Sequence, residues 1–159
     1  MTQHEAHLDA IGERRTRGSF YTPEATVAGL LRLSLDRLLA ERSSHGFEAV
    51  AAIRVCDPTC GTGNFLTAVA VRIRSALVVL GMDNEDASQA ALRCVVGVDM
   101  DSEAAELCRD ELAAVLQVER SDETDLNILS ADSLLMPLTM PQAPPENSAK
   151  LLNWEAFRQ

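Results

Sequence analysis

An α/β fold built on a parallel sheet follows from three features of the 159-residue sequence. Short apolar runs alternate with stretches of helical periodicity in the order strand, helix, strand, helix, strand, the signature of parallel strands joined by right-handed crossovers. Each strand run ends on an aspartate, at Asp57, Asp99 and Asp132. A glycine-containing turn follows the first of them, and ligands of such sheets bind beyond the carboxyl ends of the strands. Three carboxylates on one rim is the feature that a functional reading must explain.

The elements follow in order. Residues 1–19 are polar and read as an arm. Thr22 as N-cap, Pro23 at the first helical position and Glu24 near the positive end of the dipole open a helix. Val27, Leu30, Leu31, Leu35, Leu38 and Leu39 carry it at helical spacing to about residue 41. Residues 42–46 are a polar break. Residues 52–57 form a short, partly β-branched strand that Asp57-Pro58 terminates. Residues 64–80 repeat Phe65, Leu66, Val69, Ile73 and Leu77 as a helix closed by Gly81. An acidic loop at 83–86 leads to a short helix at 87–92. Residues 94–99 are the second strand, and Ser102 caps a helix with the stripe Ala105, Leu107, Leu112, Val115 and Leu116. After a polar loop at 121–125, residues 126–131 give the third strand. Beyond Leu138 the prolines Pro141, Pro144 and Pro145 break all periodicity, and residues 151–159 form a short amphipathic end. The organisation expected is an arm at 1–19, one α/β domain at 20–135 and an irregular tail at 136–159.

Composition narrows the class. Hydrophobic residues at 47% and charged residues at 24% suit one soluble globular domain, and no apolar run has the length of a membrane span, so a cytoplasmic protein is expected. Cys56, Cys60, Cys94 and Cys108 lack the paired short spacing of a zinc site, so no metal is expected and buried reduced thiols are. The net charge of −10 is uneven, with +1 on residues 1–80 and −11 on residues 81–159. Such a surface repels DNA phosphates; Arg14, Arg15 and Arg17 make the one basic cluster, read as a solvated arm.

The turn after the first strand excludes two common ligands. A phosphate-binding P-loop needs a lysine after its second glycine, and the single lysine is Lys150. A dinucleotide fingerprint needs Gly-x-Gly-x-x-Gly with an acid about 20 residues on. Here Phe65 and Leu66 follow Gly63, and Asp99 comes 36 positions after it. Asp57 at the mouth of the turn would also repel a pyrophosphate. A cationic ligand reverses that objection. S-adenosylmethionine carries a sulfonium and an ammonium that suit Asp57, ribose hydroxyls that suit Asp99, and an adenine amine that suits Asp132. Met100 would lie against the adenine, with the backbone around Ser133 and Leu134 completing recognition of the base. Taken singly, Asp57 is as well explained by capping the turn, and Asp99 and Asp132 are better explained by loop solvation or turn chemistry; their joint position favours a ligand.

The run Asp57-Pro58-Thr59-Cys60-Gly61-Thr62-Gly63-Asn64-Phe65-Leu66 resembles the cofactor motif Asp-Pro-x-Cys-Gly-x-Gly-x-Phe-Leu of bacterial N6-adenine DNA methyltransferases. Gly18-Ser19-Phe20-Tyr21-Thr22-Pro23 resembles the segment that in this family contacts the methionine end of the cofactor. Gly97-Val98-Asp99-Met100-Asp101 resembles the ribose-binding motif and Ala131-Asp132-Ser133-Leu134 the adenine-binding one. The Arg-rich lead-in most resembles the methylase modules of type I and fused restriction-modification enzymes. The resemblance spans about residues 14–135. It implies a class I, Rossmann-like methyltransferase sheet using S-adenosylmethionine, with Tyr21, Thr22, Asp57, Pro58, Cys60, Gly61, Gly63, Phe65, Asp99, Met100, Asp132 and Ser133 at the cofactor.

One part of the family pattern is missing. Its members carry Asn/Asp-Pro-Pro-Tyr/Phe after a fourth strand, where it holds the amine of a flipped adenine and stacks on the base. Ala143-Pro144-Pro145-Glu146 lacks the polar group before the prolines and the aromatic after them. No catalytic residue is therefore assigned, and the sheet is expected to stop before its fourth strand. The function expected is the cofactor-binding portion of a site-specific DNA adenine methyltransferase of a restriction-modification or phage-defence system, inactive alone. Double-stranded DNA is the substrate expected of the complete enzyme, with a specificity or restriction subunit as a further partner. Two alternatives remain: a non-catalytic assembly module of a split methyltransferase, and a methyltransferase acting on RNA or a small molecule.

Overall fold

A computed structural model of the chain describes residues 22–120 and 127–134, and the arm at 1–19, the loop at 121–125 and the tail at 136–159 lie outside these residues. The described elements are α1 (Glu24–Leu33), α2 (Leu35–Ser43), α3 (Phe47–Ala51), β1 (Val55–Asp57), α4 (Asn64–Val79), α5 (Asn84–Arg93), β2 (Val95–Asp99), α6 (Ser102–Leu116) and β3 (Ile128–Ser130). The three strands form one sheet in the order β1-β2-β3, parallel throughout. This is the α/β architecture that the sequence predicts. No helix among the described residues is long and apolar enough to cross a membrane.

The first helix departs from the single element expected. Ser34, at φ −115° and ψ −77°, separates α1 from α2, and its hydroxyl donates to the Leu30 carbonyl at 2.8 Å. A serine that bonds back to the preceding turn competes with the helical ladder and bends it. The break does not disturb the core stripe, since Val27, Leu31, Leu35 and Leu39 are all buried. Pro23 rather than Thr22 occupies the N-cap, and no side chain caps this helix.

Three boundaries also moved, each for a local reason. The expected strand at 52–57 shortens to Val55–Asp57, because residues 47–51 wind into α3 after Gly46 at φ +90°. Arg54 closes that helix by donating to the carbonyls of Ala51 at 2.8 Å and Ile53 at 2.9 Å. The acidic segment at 83–86 is not a loop but the start of α5: the Asp83 carboxylate accepts from the backbone amides of Glu85 and Asp86. Asp101, not Ser102, caps α6, accepting from Glu103 at 3.0 Å and Ala104 at 3.3 Å. The end of α4 is as expected. Gly81 at φ +97° lets its amide reach the Val78 carbonyl and the Met82 amide reach Leu77, a Schellman closure.

Helices α4 and α6 pack on the sheet and on each other. Leu66, Val69, Ala70, Ile73 and Leu77 of α4 are fully buried, as are Ala105, Cys108, Leu112 and Leu116 of α6. In β2 the residue that meets this layer is Gly97. A Cβ there would stand 2.7 Å from Leu66 Cδ1, 2.9 Å from Cys60 Sγ and 2.9 Å from Ile128 Cδ1. Glycine inside a strand marks a close approach, and here α4, the glycine turn and β3 all close on one Cα.

The outer side of β3 is protected. The amide of Gly97 bonds to Asn127 and the amide of Ala131 to Asp99, which leaves the Ile128 carbonyl outside the ladder. Arg109 of α6 donates to that carbonyl through Nε at 3.2 Å and Nη2 at 2.6 Å. An arginine fixed over a strand edge blocks pairing with another chain.

Gly97→Ala is expected to lower unfolding free energy by about 1–3 kcal/mol, the usual penalty for overpacking a filled core. Urea denaturation measures it, and an unchanged midpoint would contradict the packing described.

Candidate functional site

The parallel register sets three aspartates along one rim. Asp57 pairs with Gly97, and Asp99 lies two residues beyond Gly97 on the next strand. Asp99 pairs with Ser130, and Asp132 lies two residues beyond Ser130. In-register neighbours and residues two apart share a face, so Asp57 and Asp99 point to the α4 side of the sheet. The rim therefore rises by two residues per strand from β1 to β3.

The turn between β1 and α4 is held by backbone bonds at each step. Pro58 has no amide to continue the ladder, and the Thr59 amide turns back to Asp57 Oδ1 at 3.1 Å. The chain rejoins β2 where the Cys60 amide donates to the Val98 carbonyl at 2.9 Å. The Gly61 amide then donates to Asp99 Oδ2 at 2.7 Å, while Asp99 Oδ1 accepts from the Asp101 amide at 2.9 Å. Asp99 is thus the clamp that ties the turn to the second strand, a role that its position in the sequence did not disclose. A carboxylate offers about four acceptor sites, so each of its oxygens retains capacity for a further donor.

The two glycines of the turn do different work. Both have positive φ, +53° at Gly61 and +89° at Gly63. A Cβ on Gly63 would fall 2.5 Å from Cys108 Sγ and 3.2 Å from Cys108 Cα, so this residue seats the turn against α6. A Cβ on Gly61 would meet nothing within 4 Å. Gly61 therefore faces open space at the rim, with its amide turned toward Asp99.

The surroundings shape the acid–base state of the site. Burial pushes the Asp57 carboxyl above its ordinary value, the Thr59 amide opposes this, and the nearby Asp99 charge adds to it. The Cys60 thiol is pushed far up, first by the facing Cys108 thiol, then by burial, then by the two aspartates. Cys56 is raised by burial and by Asp57, and Cys94 is pushed up to about 11 by burial. All four cysteines are free, and the raised values of Cys56, Cys60 and Cys94 make these three protonated thiols rather than nucleophiles at neutral pH.

Of the remaining residues expected at the site, Tyr21 lies outside the described residues. Thr22 and Pro58 are exposed, and Ser133 is half-buried. Phe65 is half-buried and packs on the core, which makes it a wall behind the turn. Cys60 is 6% exposed and sits between Gly97 and Cys108. Met100 is 73% exposed beside Asp99, and Leu134 is 92% exposed beyond Asp132. Asp132 Oδ1 accepts from the Leu134 amide at 2.9 Å, which forms the turn at the end of β3. Two participants were not singled out from the sequence: Gly97, whose place in a buried strand is itself a signal, and Asn64, whose side chain bonds to Thr22 and has no sequence signal. Among the described residues no group of three His, Cys, Asp or Glu side chains is arranged to hold a metal ion.

The family model for N-6 DNA methylase matches residues 7–149. No curated protein and no solved structure matches the chain.

The glycine geometry ranks two substitutions. Gly63→Ala combines left-handed backbone with a collision and is expected to cost at least about 1–3 kcal/mol. Gly61→Ala carries only the backbone penalty, about 1–2 kcal/mol. Thermal or chemical denaturation of both variants tests the order, and a larger loss for Gly61→Ala would refute it.

Proposed function

The chain belongs to the N-6 DNA methylase family, and from that premise we propose that its rim binds S-adenosylmethionine as the cofactor half of an adenine-N6 DNA methyltransferase. The observation that carries the reading is the Asp99 clamp: one carboxylate orders the glycine turn and still has acceptor sites at the open rim. S-adenosylmethionine supplies an activated methyl group for transfer to a nucleophilic nitrogen.

The chain's own residues bind and orient. Asp99 accepts from the ribose hydroxyls. Met100, largely exposed beside it, offers an apolar face to the adenine, and Asp132 accepts from the adenine amine. Asp57 attracts the positive end of the ligand, while Gly61, Gly63 and the Tyr21-Thr22 backbone line the same end. Pro58, Cys60 and Phe65 shape the turn, and Ser133 adds backbone contact near the base. Because Asp57 is half-buried near another carboxylate, a cation there relieves like-charge repulsion as well as gaining attraction. The same negative charge disfavours a pyrophosphate.

Nothing in the 159 residues supplies Asn/Asp-Pro-Pro-Tyr/Phe, the group that would hold and stack a flipped adenine. We therefore propose that this chain alone binds cofactor without methylating DNA, within a restriction-modification or defence system of the cytoplasm. Incubation with labelled cofactor and duplex DNA tests this, and methyl transfer by the isolated chain would refute it. A second reading rests on the outer side of β1, with which no described strand pairs. In it the chain docks through that edge onto a partner that supplies the missing motif. Transfer restored by mixing with such a partner would favour it.

Two further measurements bear on the cofactor. Asp99→Ala is expected to weaken S-adenosylmethionine binding by about 1–3 kcal/mol, since charge-assisted bonds to the ribose and the clamp are lost together. Unchanged affinity would remove Asp99 from the site. The pH dependence has a definite sign. The ligand's positive charge favours ionised Asp57, so affinity is greatest above the raised Asp57 value and falls as pH drops through it. Binding near that pH is expected to release a proton. In Asp57→Asn this part of the profile should be flat, and a profile identical to wild type would contradict the assignment.

A further inference from the structure

The described residues that carry sulfur are Cys56, Cys60, Cys94, Cys108, Met82 and Met100, and they differ in access. Cys60, Cys94 and Cys108 are buried, and Cys56 is half-buried. Met82 is half-buried and packs against the core. Met100 alone of this set is exposed, at 73%. Oxidation of sulfur follows exposure and, for a thiol, thiolate character. Burial holds the proton tightly on Cys56 and Cys94, and the facing Cys108 thiol holds it on Cys60. A thioether has no proton to lose, so access decides for Met100.

The place of Met100 makes that exposure consequential. It separates Asp99, which clamps the glycine turn, from Asp101, which caps α6. The Asp101 amide donates to Asp99 Oδ1 at 2.9 Å, so the backbone is held across Met100 while its side chain stands in solvent. The side chain takes no part in the hydrophobic core, and a change in it leaves the packing of the fold alone. Gly61, whose amide meets the same Asp99 carboxylate, faces open space, so the rim here is accessible. Hydrogen peroxide is small and uncharged, and the aspartates do not repel it.

We propose that Met100 is an oxidant-responsive modification site: peroxide converts its thioether to the sulfoxide ahead of every other described sulfur, and the sulfoxide weakens binding of an adenine-bearing ligand. The second half rests on the cofactor reading above. The sulfur lone pair attacks one peroxide oxygen, and the S–O bond forms as the O–O bond breaks. The other oxygen leaves with both protons as water, so the thioether is oxidised and the peroxide reduced by one electron pair. The product is neutral and leaves the charge of the rim unchanged, but an apolar side chain has become polar. Carboxylates accept hydrogen bonds and cannot donate to the new oxygen. An adenine laid over it would lose the thioether contact and bury the oxygen without a partner.

The test compares the full chain with its Met100→Leu variant, each before and after limited hydrogen peroxide, which catalase removes before ligand is added. Peptide mass mapping reads the order of oxidation, thermal melting reads the fold, and calorimetric titration reads the affinity for S-adenosylhomocysteine. Met100 is expected to take up oxygen before Met82 and before any cysteine, with the melting temperature unchanged. Affinity should then fall by about threefold to tenfold, the scale of an apolar contact made polar. Methionine sulfoxide reductases for both epimers, supplied with a dithiol, should restore it. Met100→Leu, whatever its own affinity, should show no change on oxidation. It keeps Met1, Met136 and Met140, which lie outside the described residues, and so reports what their oxidation does. Earlier oxidation of another described sulfur, unchanged affinity in the Met100 sulfoxide, or an equal fall in Met100→Leu would overturn the inference. So would a loss of affinity accompanied by a lower melting temperature. Those failures leave the cofactor reading standing, whereas an untreated chain that binds no S-adenosylhomocysteine would sink that reading and the inference with it.

Discussion

The turn between β1 and α4 is fixed by one carboxylate. Asp99 takes the Gly61 amide on one oxygen and the Asp101 amide on the other, so the end of β2, the glycine turn and the start of α6 are joined at a single side chain. Hydrogen bonds to an ionised acceptor are about twice as strong as neutral ones. Asp101, held in this way, is itself the cap of α6. The rim is thus ordered before any ligand arrives. That order reduces the entropy a ligand must remove on binding, which is the general advantage of a preformed site.

Close packing beneath the rim makes this possible. Gly97 admits Leu66, Cys60 and Ile128 to one point, and Gly63 brings the turn onto Cys108. Side chains at either glycine would lift the turn away from the sheet and carry the Gly61 amide out of reach of Asp99. The thiols of Cys60 and Cys108 fill the remaining space as small apolar groups, and both are buried. The high proton affinity of Cys60 keeps it uncharged where Asp57 and Asp99 already crowd negative charge. In the proposed reading, a positively charged ligand would relieve this accumulation of acids.

Much of this was legible in the sequence, and for identifiable reasons. Strand runs, the Gly81 closure and the aspartates at strand ends depend on local chemistry, so periodicity and turn residues reveal them. Ser34 broke the first helix through a hydroxyl whose rotamer periodicity does not encode, while the buried stripe passed through the break unchanged. Asp83 and Asp101 became caps because an aspartate before a helix competes equally well for loop or cap until the helix is seated. The clamp made by Asp99 and the tie made by Asn64 were invisible because each spans some 40 residues: Gly61 lies 38 from Asp99, and Thr22 lies 42 from Asn64. Long-range polar contacts of this kind leave no local pattern.

Family membership gives the chain a DNA methylase ancestry. In the proposed reading the rim supplies acceptors for ribose and base and negative charge for a cation, beside an open backbone position at Gly61. It offers no aromatic or amide group arranged for a flipped base among the described residues. Isothermal titration of the full 159-residue chain with S-adenosylmethionine tests the central claim most directly. A saturable single-site isotherm is the predicted result. A folded sample that gives no binding heat at any temperature tried, at millimolar ligand, would contradict it.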